Sequence, residues 1–147
     1  MKQLSSVVDF EMAELLKEKG FNEKCRYYYD ERGYCAFIES GLGYYRNEYN
    51  RSNSEWKPSL NIPAPTIAET IDWIYDKHGI WILVDWMTRI KPYNSGFYSH
   101  LRGTNKPLNQ DNFISINNTK SPGYEVFNSP KEAYIEAIKY VLNNLIK

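Results

Sequence analysis

Histidine and cysteine are scarce in this chain, with two of each among 147 residues. His78 and His100 are too far apart in sequence to form a His-x3-His pair, and Cys25 and Cys35 do not form a Cys-x2-Cys. A metal centre needs several such ligands converging, so neither a metal nor another cofactor is expected. There is no Gly-x-Ser-x-Gly to carry a nucleophilic serine. The Gly41-Leu42-Gly43-Tyr44-Tyr45-Arg46 run has two of the three glycines of a dinucleotide fingerprint, and no helical pattern follows it. Long apolar runs are missing too. The longest, residues 80–84, is far too short to span a bilayer, and Asp9 and Glu11 interrupt the segment after Lys2 that would have to serve as a leader. The expectation is a cytoplasmic chain with no membrane contact. Charge of one sign is also lacking: 18 Lys plus Arg balance 18 Asp plus Glu. That removes the global basic field of a strong nucleic-acid binder and leaves only a local patch as an option.

Aromatic residues, by contrast, are plentiful: 13 Tyr, 6 Phe and 4 Trp. Tyrosine commonly fills small, half-exposed sheets, and it also builds adhesive surfaces. The strongest local signal lies in residues 63–86. Thr66 and Glu69 match a capping box, Gly79 is placed to end the helix, and residues 80–86 read as a strand. On the helix, Ile67, Ala68, Ile71, Ile74, Tyr75 and His78 share one side, with Glu69, Asp72 and Asp76 opposite. On the strand, Ile80, Ile82, Val84 and Trp86 alternate with Trp81, Leu83 and Asp85. Both faces are largely apolar, which predicts an interior strand.

Elsewhere, helical spacing predicts a first helix over residues 6–19, stopped by Gly20, with Phe21 tucked back onto it. Residues 25–30 and 34–39 read as a hairpin around Glu31-Arg32-Gly33. A three-residue loop sets Tyr29 opposite Cys35 and Tyr27 opposite Phe37. Cys25 then lies about 13 Å along the sheet from Cys35, well beyond the roughly 7 Å that a disulfide permits, so both are expected as free thiols. Further strands are predicted over residues 96–102, 113–116 and 124–127. Ser129-Pro130-Lys131-Glu132 opens a closing helix with Tyr134, Ala137, Ile138, Val141, Leu142 and Leu145 as its apolar stripe. The expected architecture is one α+β domain over residues 1–147, with an antiparallel sheet packed by about three helices in the order helix, hairpin, helix, strands, helix. Residues 40–62 lose periodicity and hold either a short strand around residues 43–45 or, the favoured reading, one long irregular loop.

Three segments together carry a resemblance. They are residues 10–21 with Cys25 and the three tyrosines 27–29; Ala64-Pro65-Thr66-Ile67-Ala68-Glu69 with Asp72-Trp73-Ile74 and Lys77-His78-Gly79-Ile80; and Phe127-Asn128-Ser129-Pro130-Lys131-Glu132-Ala133 with the closing helix. In this order, over about half the chain, they resemble small proteins of unknown function encoded by phages and mobile elements of gut bacteria. The resemblance implies a small phage-type accessory protein. It brings no reaction and no functional residues, and it does not extend to residues 40–62.

Two features stand out as binding surfaces. Tyr44, Tyr45, Arg46, Tyr49, Arg51 and Trp56 interleave rings and cations, as single-stranded nucleic acid requires, although Glu48 and Glu55 lie among them. Trp73 falls on the helix side shared with Glu69 and Lys77, where it is either covered or an interaction anchor. His78, at a helix C-terminus, reads as a cap or core histidine, or else as a general base with Asp85 or a tyrosine. Asp72 and Asp76 read as a solvated acidic face. The leading expectation is a non-catalytic protein that binds a host or phage protein, or itself. A nucleic-acid-binding module using residues 40–62 comes next, and a small enzyme centred on His78 third.

Overall fold

The computed structural model describes residues 5–38, 45–46, 62–90, 95–104, 113–116 and 126–147. The chain divides into two compact units, residues 6–66 and a second built on residues 67–147. The α+β class and the antiparallel pairing are as expected, and the strands fall into two sheets.

In the first unit, α1 (Phe10–Glu18) starts later than helical spacing alone suggests. Asp9 is the N-cap, its carboxylate accepting the Met12 N–H at 2.9 Å. Val7 and Val8 precede the helix in extended form: Val7 bridges Thr66, and the Val8 N–H donates to the Pro65 carbonyl. Non-local pairing thus takes residues that local periodicity assigns to the helix. At the other end Gly20 has φ +93°, the Phe21 N–H donates to Leu16 and the Gly20 N–H to Lys17. This is a Schellman stop, and the buried Phe21 folds back as predicted.

The hairpin has the predicted register. β1 (Tyr27–Tyr29) and β2 (Cys35–Ile38) pair Tyr29 with Cys35 and Tyr27 with Phe37, and Cys25 and Cys35 form no disulfide. Its turn is built on Asp30, a carboxylate only 1% exposed. Asp30 Oδ1 accepts the Arg32 N–H at 2.8 Å and the Tyr34 N–H at 3.0 Å, while Gly33 takes φ +83°. Two short strands flank the hairpin. β3 (Tyr45–Arg46) pairs with β2 and β4 (Ile62–Pro63) with β1, giving the order β3-β2-β1-β4. The segment read as one irregular loop therefore holds a short strand at Tyr45–Arg46, and its last residue opens another.

The second unit begins with α2 (Ile67–His78), then Gly79 at φ +65°, then β5 (Ile80–Met87). β6 (Gly96–Gly103) and β7 (Phe113–Ile116) complete a sheet ordered β5-β6-β7. Here the sequence expectation is corrected. β6 is the central strand and β5 lies at an edge, pairing only with β6 among the described residues. Aromatic side chains on both faces imitate the pattern of an interior strand. Phe127 forms a single bridge to Phe97 rather than part of a described strand. α3 (Pro130–Asn144) opens as predicted: Ser129 Oγ accepts the Glu132 N–H, and Glu132 Oε2 accepts the Asn128 N–H, both at 3.2 Å. The core joins Ile80, Ile82, Leu101 and Ile116 of the sheet to Ile67 and Ile74 of α2 and to Ala137, Ile138, Val141 and Leu142 of α3. At about 25 cal/mol per Å² of apolar surface removed from water, this burial is the main force holding the unit together.

Candidate interaction surface

The exposed large apolar side chains of the second unit gather on and beside β5. Trp81 is 44% exposed and Trp86 55% exposed, and Tyr75 and Ile90 are exposed as well. The single-glycine connection at Gly79 sets the last turns of α2 beside the start of β5, and the Tyr75 and Trp81 rings meet at 4.3 Å between centroids. At the far end Trp86 meets Phe97 edge-on at 4.8 Å. Side-chain alternation directs Trp86 to the same side as the buried Ile82, yet it stays exposed at the end of the strand. The exposed indoles thus sit toward the two ends of one edge strand.

The hydrogen-bond phase of β5 follows from its ends. The Thr104 N–H donates to the Gly79 carbonyl at 2.7 Å, which makes Gly79 and Thr104 a hydrogen-bonded pair in the Ile80↔Gly103 register. Bonded pairs alternate in an antiparallel ladder, so Trp81, Leu83, Asp85 and Met87 direct their backbone groups at β6. Ile80, Ile82, Val84 and Trp86 direct theirs outward. The reciprocal bonds between Phe97 and Phe127, on the far side of β6, agree with this phase.

Asp85 and His100 share the sheet face opposite the core, with Ser115 across from His100 on β7. His100 is buried, and its Nδ1 lies 4.0 Å from Asp85 Oδ2, too long for a hydrogen bond. Burial lowers the His100 pKa; the Asp85 carboxylate opposes that shift and Arg102 adds to it. Burial thus favours the uncharged imidazole, and the His100–Asp85 separation is that of a loose ion pair rather than a hydrogen bond. Tyr134 is raised by burial and then by Asp85. In the first unit, Tyr29 is pushed up to about 12 by burial, with Cys35 and Asp9 adding to it, and its hydroxyl donates to the Val8 carbonyl at 2.7 Å. Desolvation raises the Cys35 thiol, the reverse of what an activated nucleophile needs.

The residues singled out in the sequence fare differently. Trp73 is 6% exposed, so its ring is not offered to a partner; it meets the His78 ring edge-on at 4.9 Å. The buried face of α2 runs through Ile67, Thr70, Trp73 and Ile74, turned away from Tyr75 and His78, both of which are exposed. Burying an indole removes more apolar surface than burying a phenol or imidazole, and that decides the rotation. His78 is lowered by desolvation. Tyr45 and Arg46 lie on β3, whereas Tyr44, Tyr49, Arg51 and Trp56 fall outside the described residues. Trp81, Trp86 and Tyr75 are the surface residues that sequence reasoning missed. Asp85, an acidic residue inside an apolar run, was the available sign of an exposed strand. Among the described residues, no three His, Cys, Asp or Glu converge to hold a metal ion, and no helix is long and apolar enough to cross a membrane. Comparison with known proteins finds no family model that matches this chain, no similar curated protein and no similar solved structure.

Proposed function

We propose that this chain is a non-catalytic accessory protein of the phage or mobile-element type, working in the cytoplasm, and that it acts by binding a protein partner along β5. One observation carries the reading: exposed Trp81 and Trp86 sit on an edge strand whose outward backbone groups pair with nothing among the described residues. Tryptophan dominates the energetics of many interfaces, and an open strand edge supplies a row of backbone donors and acceptors for an added strand. Two truncated indoles at about 2 kcal/mol each make a binding loss of several hundredfold.

The test is affinity capture with the intact chain and with a Trp81→Ser/Trp86→Ser variant whose melting temperature matches the parent. The reading expects a partner held by the parent and lost by the variant. Equal capture by both would place the binding surface elsewhere and refute it.

A further inference from the structure

We infer that the partner seated on β5 is β5 of a second copy of this chain, joined antiparallel about a two-fold axis so that the two three-stranded sheets become one. This rests on the reading of β5 as the binding edge and names its occupant. Three observations carry it.

The first is the lack of edge protection. Natural edge strands carry lysines, prolines or bulges that prevent pairing. β5 runs from Ile80 to Met87 in unbroken register against β6 and holds a single charge, Asp85, with no proline and no lysine.

The second is self-complementarity. A two-fold axis normal to the sheet keeps each face continuous, so a residue must meet one of its own parity. With the axis at Leu83, Ile80 meets the mate's Trp86 and Ile82 the mate's Val84, so all four residues with outward backbone groups are paired. On the other face Leu83 meets its own equivalent, and each Asp85 meets the mate's Trp81 rather than another carboxylate. Moving the axis to Asp85 would set the two carboxylates face to face, which is destabilising.

The third is charge. The chain has a formal net charge of zero, so two copies approach without mutual repulsion. A strongly basic or acidic partner, by contrast, finds only the Asp85 carboxylate along this edge.

Sedimentation equilibrium of the full chain from about 1 to about 100 μM tests this directly. The expected result is a mass rising from 17.3 kDa toward twice that value. A monomer throughout that range overturns the inference. Leu83→Lys and Leu83→Glu then test the register, because each places like charges across the axis. Each alone should weaken association at least about tenfold, and an equimolar mixture should restore it in a salt-sensitive way. Variants that dimerise like the parent, or a mixture no better than its components, would also overturn it. Capture of another protein that depends on Trp81 and Trp86, by a chain that stays monomeric, would leave the partner-binding reading standing and remove only the second copy. A dimer that forms through Leu83 while capture ignores both tryptophans would uphold the second copy on β5 and overturn only the role given to Trp81 and Trp86.

Discussion

Replacing Asp30 with alanine should unfold the hairpin unit far more readily than an ordinary turn substitution. The carboxylate is buried, and its Oδ1 accepts two backbone N–H groups, from Arg32 at 2.8 Å and from Tyr34 at 3.0 Å. Hydrogen bonds to a charged acceptor contribute about 1.5–3 kcal/mol each. Arg32 and Tyr34 are themselves exposed, so water replaces part of what is lost. The lower end of the range applies, and Asp30→Ala should cost about 2–4 kcal/mol. Asp30→Asn keeps an acceptor oxygen and loses the charge. It also loses the 3.4 Å ion pair to the Arg32 guanidinium, which is half exposed and therefore worth at most about 1 kcal/mol. Its cost should be roughly half that of alanine. Burial pushes the Asp30 pKa up, but the Tyr34 and Arg32 backbone N–H groups and the Arg32 charge outweigh it and hold the carboxyl below its usual value. A depressed carboxyl stabilises the fold above the unfolded value of about 3.9, and that contribution drains away as pH falls through the folded pKa. The parent should thus lose stability below about pH 4, and Asp30→Asn should flatten that acid limb. Urea titration followed by NMR intensities of the Tyr27, Tyr29 and Cys35 amides reads this unit by itself. Equal costs for the two variants, or a cost below about 0.5 kcal/mol for alanine, would refute the reasoning.

Two further outcomes concern the second unit. Gly96→Ala places a Cβ 2.8 Å from the Phe127 carbonyl oxygen and 2.8 Å from Val126 Cγ2, so the bridge between Phe97 and Phe127 must open; the variant should lose about 1–3 kcal/mol and the slow exchange of the Phe97 amide. Both histidines are lowered from 6.5 by desolvation, so their ring protons should titrate below that value; because unfolding lets them take up protons, stability should be full above about pH 6.5 and fall as pH drops toward the folded pKa values, less steeply in His100→Phe.

Much of the fold was legible where neighbours in sequence are neighbours in space. The register of β1 and β2 follows from a three-residue turn ending in a positive-φ glycine, and the start of α3 from Ser129, Pro130 and Glu132. What failed was non-local. Apolar spacing alone extends the first helix back to residue 6, and only the pairing of Val7 and Val8 with residues 65 and 66 moves its start to the Asp9 cap. Aromatic residues alternate on both faces of β5 whether it is central or at an edge, so its place in the sheet is written in its neighbours. Trp73 and Tyr75 differ by two positions on α2, and packing against the second unit's core, rather than periodicity, buries the first and exposes the second. The surface therefore had to be read from three dimensions.

Amide exchange along β5 tests directly whether this edge is the binding surface. In dilute chain the outward N–H groups of Ile82, Val84 and Trp86 should exchange quickly while those of Leu83 and Asp85, bonded to β6, exchange slowly. Raising the concentration, or adding a captured partner, should slow the first three and leave the other two unchanged. Outward amides already as protected as the inward ones in dilute chain, or unaltered by any partner, would contradict the proposed role of β5.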